Sequence, residues 1–272
     1  MPGLLLDFSV QIIIAKCIHL INQRAICGAE IGLISAQKLA DGNYICRKNC
    51  RKKLFKTFDC IPASLHDVTE HIAQIEWGTK VWNQIFVPLK KTKVKAEKLR
   101  QVTGIMEYQV YVSPSTGLIA FNENRYKFMF FGKTEYACVY RLADLVTYEY
   151  DSETTKNSEG KEETKHYCWF GFKNTSGMGY FRVQLSDNST YSSIEKYFNE
   201  LFGIQKTVGN MFNNARRQLD AIKSVAGTVK SLKDGDVNEA QVSSTMEALN
   251  AMELGDRTEW IAKADAALNT VR

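Results

Sequence analysis

The sequence lacks the short motifs that mark several common enzyme classes. It has no glycine-rich loop for cradling phosphate, no G-x-S-x-G nucleophile turn and no dinucleotide-binding fingerprint. It contains only four histidines, and they are scattered along the chain as His19, His66, His71 and His166. No cysteine lies beside one of them in a context typical of a nucleophile pair. These absences disfavour catalysis, and we expect a protein that is not an enzyme.

Long apolar runs are also missing. Residues 1–22 are rich in leucine and isoleucine, but Asp7, Gln11, Lys16 and His19 interrupt them. A membrane span needs roughly 20 nearly continuous apolar residues, and no basic segment or small-residue cleavage site marks a secretory signal. We therefore expect a cytoplasmic protein without a transmembrane segment. Its seven cysteines are then free thiols or metal ligands rather than disulfides.

The chain does contain enough apolar residues for a real core, since 44% of its 272 residues are hydrophobic. Its charged residues are unevenly distributed along the chain. The net charge is +5, yet residues 1–104 alone carry 16 lysines and arginines against 8 acidic residues. An anionic partner for this part of the chain is conceivable, although a solvated surface explains the same charges.

The hydrophobic period changes along the chain. Ser64 is a plausible N-cap for a helix in which Leu65, Val68, Ile72 and Ile75 share a face. From residue 105 a period of two predicts several antiparallel strands, followed by an amphipathic helix that ends near Gly203. Helical spacing returns in the tail, where Asp256 could cap a helix containing Trp260, and self-association through the tail is possible. The predicted segments are an atypical extension at 1–23, a cysteine head at 24–60, a helical segment and basic linker at 61–104, a β domain with a closing helix at 105–203, and a helical tail at 204–272.

The cysteine head suggests a family. Cys27-Gly28 with Ile31-Gly32-Leu33, the stretch Lys38-Leu39-Ala40-Asp41-Gly42, and then Cys46 and Cys50 together resemble a short zinc-ribbon-like head found in uncharacterised bacterial proteins, mainly from Gram-positive bacteria. A β-rich domain similar to pleckstrin-homology modules often follows in that family. The resemblance implies a zinc-ribbon-like head followed by a pleckstrin-homology-like β domain. With the periodicity described above, we predict an α+β fold: this head, an antiparallel β-barrel or bent sheet capped by a helix, and an α-helical C-terminal tail. The resemblance implies no activity, because the family has no settled function.

Zinc in such heads is usually held by two close pairs of nitrogen or sulfur ligands. Cys46 and Cys50 could supply one pair and Cys27 half of the other, whereas the family's first cysteine falls on Arg24. A fourth ligand must then come from elsewhere, and otherwise the head holds no metal. Our predicted set for a structural zinc is Cys27, Cys46, Cys50 and Cys17; the other candidates for the fourth position are His19, Cys60 and His66.

A dense basic stretch overlaps the head, and we predict it as an anion-binding surface formed by Arg47, Lys48, Arg51, Lys52, Lys53 and Lys56. Such a patch could grip a phosphate backbone or anionic lipid, or simply face water. The leading hypothesis is a non-catalytic binding or adaptor protein with a protein partner. The alternative is a nucleic-acid-binding regulator that works through the basic head.

Overall fold

The computed structural model describes residues 26–28, 35–104, 108–126, 132–173, 175, 177–203 and 257–272. The chain divides into two compact units, Met1–Ile72 and Ala73–Arg272. We call them unit 1 and unit 2. The predicted extension at 1–23, the ligand candidates Cys17 and His19, and tail residues 204–256 all lie outside the described residues.

Unit 1 contains a short antiparallel hairpin, in which β1 (Ala36–Lys38) pairs with β2 (Tyr44–Cys46). Its turn is built on Asp41-Gly42. Gly42 has a φ of +81°, a value that glycine adopts without steric cost. The Asp41 carboxylate accepts the backbone N–H groups of Asn43 at 3.0 Å and of Leu65 at 2.7 Å. One aspartate therefore closes the turn and also bonds to Leu65, the first residue of the long helix Leu65–Val81.

Two helices follow in unit 1: α1 (Cys50–Lys53) and the first part of α2 (Leu65–Val81). The predicted N-cap at Ser64 is confirmed. Its hydroxyl accepts the Asp67 N–H at 3.2 Å, and its own backbone N–H donates to the Asp67 carboxylate at 2.8 Å. This reciprocal pair of bonds satisfies two backbone donors at the helix N-terminus.

The core of unit 1 encloses a histidine. His71 is fully buried; its ring stacks on Phe58 with centroids 4.5 Å apart and meets the edge of Phe55 at 5.6 Å. The Phe55 backbone N–H donates to His71 Nε2 at 3.5 Å. The imidazole thus fills a space between two phenylalanines and also serves as a hydrogen-bond acceptor.

Helix α2 continues into unit 2. It leads into a π-helical turn (Trp82–Phe86), α3 (Val87–Lys91) and a 3₁₀ turn (Lys95–Glu97). Glycine often interrupts a helical pattern, yet Gly78 lies inside α2. A Cβ there would be 2.3 Å from the Ala137 carbonyl oxygen, so only glycine lets the helix approach strand Thr134–Arg141 this closely. Beside it, the Ala137 N–H donates to Thr79 Oγ1 at 3.1 Å.

Two antiparallel sheets form the body of unit 2. The first has the order β3-β4-β5-β6 and the second the order β7-β8-β9. Helix α4 follows the strands, and α5 lies at the end of the chain. The bounds are β3 Arg100–Gly104, β4 Tyr108–Ser113, β5 Leu118–Arg125, β6 Thr134–Arg141, β7 Leu145–Lys156, β8 Glu162–Phe172, β9 Tyr180–Leu185, α4 Asn188–Leu201 and α5 Thr258–Leu268.

Aromatic side chains join the two sheets. Phe121 of β5 stacks on Phe181 of β9 at 4.3 Å, and Tyr140 of β6 stacks on Phe172 of β8 at 4.2 Å. Phe198 of α4 contacts Phe170 edge-on at 6.1 Å. Offset and edge-to-face arrangements of this kind add to the stabilisation from burying the rings. The predicted mixture of helices and antiparallel sheets is confirmed.

The C-terminal helix α5 completes a second hydrophobic cluster of unit 2, in which fully buried Ala264 packs with Trp82, Phe86 and Leu118. Gln84 exchanges two hydrogen bonds with the backbone of Arg272, at 2.9 and 3.0 Å. The expectation of a helix containing Trp260 is therefore confirmed. Among the described helices, none combines the length and the apolar character that crossing a membrane requires.

Candidate sites in the cysteine head and on the second sheet

Three of the predicted zinc ligands lie near one another in unit 1. Cys46 ends β2 and Cys50 begins α1; both are buried, while Cys27 is exposed. Asn49 links two of them, because its backbone N–H points to Cys46 Sγ at 3.4 Å and its side-chain amide to Cys27 Sγ at 4.0 Å. Burial raises the pKa of the Cys50 thiol, and the neighbouring Cys27 side chain raises it further, against the lowering effect of backbone N–H groups. The short turn between β2 and α1 thus carries Cys46 and Cys50 at its two ends, and its Asn49 side chain reaches Cys27.

These thiols do not form a metal centre by themselves. Among the described residues, no group of three or more His, Cys, Asp or Glu side chains has an arrangement that could hold a metal ion. The predicted fourth ligand, Cys17, lies outside those residues. Of the other candidates, His66 is exposed on α2 and Cys60 is buried. Burial raises the pKa of Cys60 to about 11, so this thiol carries its proton at neutral pH.

The predicted anion-binding residues surround α1. Five of them are exposed: Arg47, Lys48, Lys52, Lys53 and Lys56. Arg51 differs, because its guanidinium donates to the backbone carbonyls of Phe55 at 3.1 Å and Lys56 at 3.4 Å. Arg51 therefore holds the chain that leaves α1, and the other five side chains form the basic surface of the head.

The second sheet presents a cluster that the sequence reasoning did not single out. Arg182 of β9 donates to Asp151 Oδ2 at 2.6 Å and to Glu153 Oε2 at 3.3 Å. The same guanidinium lies over the Tyr167 ring at 3.6 Å and 5.6 Å from the centre of the Trp169 ring. Trp169 in turn donates its indole N–H to Asp151 at 3.1 Å. We call these five residues the Arg182 cluster.

Strand register places the Arg182 cluster on one face of the sheet. Asp151 pairs with Tyr167, and Trp169 pairs with Arg182; directly opposed residues share a face. The side chains are only partly buried, with 22% of Arg182 and 32% of Asp151 exposed. The opposite face carries buried Cys168, Phe170 and Phe181. A rigid patch of aromatic rings and an arginine therefore stands at the surface of unit 2.

The sequence contains the signal for this patch. In Tyr180–Leu185 a polar arginine alternates with apolar Phe181 and Val183, as expected of a strand with one buried face. Phe170 and Phe172 of β8 are fully buried, whereas Trp169, one residue out of phase with them, is only partly buried.

Comparison with known proteins identifies the head alone. No curated protein and no solved structure matches the chain. The stretch on which the bacterial-family resemblance was based does match a family model, and the match extends to His71. Residues 25–71 carry the domain described as Domain of unknown function (DUF4428).

Proposed function

We propose that this chain is a non-catalytic binding or adaptor protein, whose unit 2 is a pleckstrin-homology-like module presenting a protein- or lipid-binding surface. The order of its strands supports the proposal: four antiparallel strands, then three, then an amphipathic helix. Aromatic rings fill the space between the two sheets, so a partner of unit 2 would contact an outer face or a loop.

The observation that carries the proposal is the Arg182 cluster. Tryptophan, tyrosine and arginine are the residues most enriched at the energetic centres of protein interfaces. Here they are held in place by two carboxylates and a hydrogen bond from the indole. Side chains that are already ordered lose little conformational entropy when a partner binds. We therefore assign the protein-binding surface to this face of the second sheet.

The test begins with cross-linking capture of partners by wild-type protein and by Trp169→Ala. A captured partner is then purified and its affinity measured by calorimetry. We expect Trp169→Ala to weaken binding by about 30-fold, the usual effect of removing a central hot-spot residue. Lys161→Gln, at the tip of the β7–β8 hairpin, is the matched control and should bind like wild type. Unchanged affinity of a correctly folded Trp169→Ala protein would refute the assignment.

The second candidate is a nucleic-acid-binding regulator. It is favoured by the five exposed cations around α1. Phosphate binding of this kind weakens steeply as salt rises, because each neutralised phosphate releases counterions. Fluorescence anisotropy with duplex DNA and with RNA, repeated over a series of salt concentrations, measures that slope. A slope that Lys52→Gln/Lys53→Gln reduces by about two supports this candidate.

A structural zinc in the head stays a prediction, because the described thiols need at least one further donor. Elemental analysis of protein purified without a metal-affinity tag tests it directly. About one zinc per chain, lost in Cys46→Ser/Cys50→Ser, would establish a metal module. Folded protein without zinc would mean that the three thiols only pack together.

A further inference from the structure

A second basic surface lies in unit 2, outside the head. The segment Lys91–Lys98 runs from the last residue of α3 towards β3, and we call it the strap. It carries four lysines, Lys91, Lys93, Lys95 and Lys98, and all four are exposed. Its one acidic residue, Glu97, accepts a hydrogen bond from Thr92 Oγ1 at 3.4 Å. Among the described residues, no carboxylate lies within ion-pair distance of these four ammonium groups.

The strap is fixed at both ends. Leu89 before it and Leu99 after it pack against the cluster that contains Trp82 and Tyr111. Local backbone bonds shape the segment between them, including Glu97 N–H to the Val94 carbonyl at 3.1 Å. With its ends anchored on the core, the strap holds its lysines on the outside of unit 2. At its middle Val94 is 51% exposed.

The cations beside the strap are already engaged. Lys90 lies over the rings of Trp82, at 5.1 Å, and Tyr111, at 4.7 Å. Arg100 lies over Tyr197 at 5.0 Å. These contacts occupy both flanking side chains through cation–π attraction. Both flanking cations keep their charge, so they add to the positive potential of the four strap lysines.

We infer that the strap binds the surface of an anionic lipid bilayer. Lysine ammonium groups attract anionic headgroups without a demand for particular geometry, and exposed Val94 provides an apolar side chain that can enter the interfacial layer. Single-stranded nucleic acid would instead require exposed rings for base stacking. The rings beneath the strap, Trp82 and Tyr111, are 0% and 6% exposed. The inference rests on the proposed binding function and names the lipid partner.

The experiment is vesicle co-sedimentation with the full chain. Vesicles contain either phosphatidylcholine alone or about one third phosphatidylglycerol, at roughly 0.15 M salt. Wild type should sediment only with the anionic vesicles. In Lys91→Gln/Lys93→Gln/Lys95→Gln/Lys98→Gln the partition coefficient should fall by roughly 600-fold if the four contributions multiply, since each lysine near the surface is worth about fivefold. Val94→Asn should lower it by a smaller factor.

A matched control removes the same charge elsewhere in unit 2, through Lys156→Gln/Lys161→Gln/Lys173→Gln/Lys196→Gln. It should bind nearly as well as wild type. Equal losses in the control and the strap variant would overturn the inference, because net charge alone would then explain binding. So would loss only on neutralising the head, or strap-dependent binding of DNA without vesicle binding. If vesicles do not bind while Trp169→Ala still loses its protein partner, this inference fails and the proposed function stands.

Discussion

At the scale of single residues, Gly117 meets two separate demands. Its φ is +64°, and a Cβ would lie 2.6 Å from the Trp260 carbonyl oxygen of α5. Gly117→Ala adds a left-handed strain of about 1–2 kcal/mol and a clash that α5 must relieve by moving. We expect the free energy of unfolding to fall by about 2–4 kcal/mol, measured by chemical denaturation.

Gly160 separates the two effects. It lies in the β7–β8 hairpin turn with a φ of +78°, and no atom lies within 4 Å of the position its Cβ would take. Gly160→Ala should therefore cost only the backbone strain, about 1–2 kcal/mol. If both substitutions lower the free energy of unfolding by the same amount, α5 does not approach the β4–β5 turn as closely as described.

Glu149 is a partly buried carboxylate whose charge opposes folding. Burial raises its pKa, nearby Glu195 raises it further, and the hydroxyl of Thr147, 3.2 Å away, lowers it only in part. The pKa of Glu149 is higher in the folded protein than in the unfolded chain. The free energy of unfolding of wild type therefore falls as pH rises from the unfolded-state pKa to the folded-state pKa. Glu149→Gln should therefore raise the midpoint of thermal unfolding by a few degrees near neutral pH.

The difference between Glu149→Gln and wild type should shrink as pH falls through the raised pKa, because wild type then becomes neutral too. Glu153→Gln is the comparison. Its carboxylate pairs with Arg182 at 3.3 Å, so removing that charge should not stabilise the protein. A Glu149→Gln midpoint equal to or below that of wild type at neutral pH would contradict the prediction.

Residue type alone explains part of the interior. A free cysteine behaves as a small apolar residue, and Cys138 and Cys168, which both lie in strands, are fully buried. The spacing of Cys27, Cys46 and Cys50 predicted ligands of a structural zinc, and that stays a prediction, although Asn49 contacts the sulfur atoms of Cys46 and Cys27. Nothing in the spacing reveals the use of Arg51 as a backbone clamp, because that depends on where the chain turns after α1.

At the scale of elements, one aspartate defines the start of helix α4 at Asn188. Asp187 is its N-cap, and its carboxylate accepts the Thr190 N–H at 2.9 Å and the Ser189 hydroxyl at 2.6 Å. Side-chain bonds from Ser189, with those from Thr190, lower the pKa of Asp187 to about 2. The pKa of Asp187 is lower in the folded protein than in the unfolded chain. The ionised carboxylate therefore stabilises the fold at pH values above the ordinary aspartate pKa, and this stabilisation is lost as pH falls through the lowered pKa.

Removing this cap should therefore have a pH-dependent cost. Asp187→Ala is expected to be less stable than wild type at neutral pH, and the gap should close as pH falls from about 4 to about 2, where the wild-type carboxylate takes up its proton. Thermal unfolding at a series of pH values measures this. Asp187→Asn keeps a good capping residue without the titration. At neutral pH it should therefore be less destabilised than Asp187→Ala, while its difference from wild type changes over the same pH range.

Helix α2 shows why element prediction succeeded at one end only. Its start follows from local chemistry, since Ser64 and Asp67 exchange hydrogen bonds within one turn. Its continuation past Gly78 depends on Ala137, which is distant in sequence and which only the folded sheet brings close. Glycine in a helical pattern normally argues for a break. Here a tertiary contact decides the outcome.

At the scale of the whole molecule, the alternation of strands predicted antiparallel sheets but not their division into four and three. That division follows from which aromatic residues stack across the interior, such as Phe121 on Phe181. The boundary between units after Ile72 also has no local signal, because it lies within the continuous helix α2. Both features depend on contacts between residues far apart in sequence.

The two units lead to a last prediction, which concerns how the chain opens. His71 fills the space between Phe55 and Phe58 in unit 1, and its Nε2 accepts the Phe55 N–H. His71→Ala leaves a void between the two phenylalanine rings, at a cost of about 3 kcal/mol. Hydrogen exchange measured by mass spectrometry should then speed up in residues 35–72. Exchange in β4, β5 and β6 should stay as in wild type, because separate packed units open separately. His66→Ala, at an exposed position of the same helix, should alter neither. Faster exchange of the β4–β6 amides in His71→Ala would show instead that the chain opens as one cooperative unit.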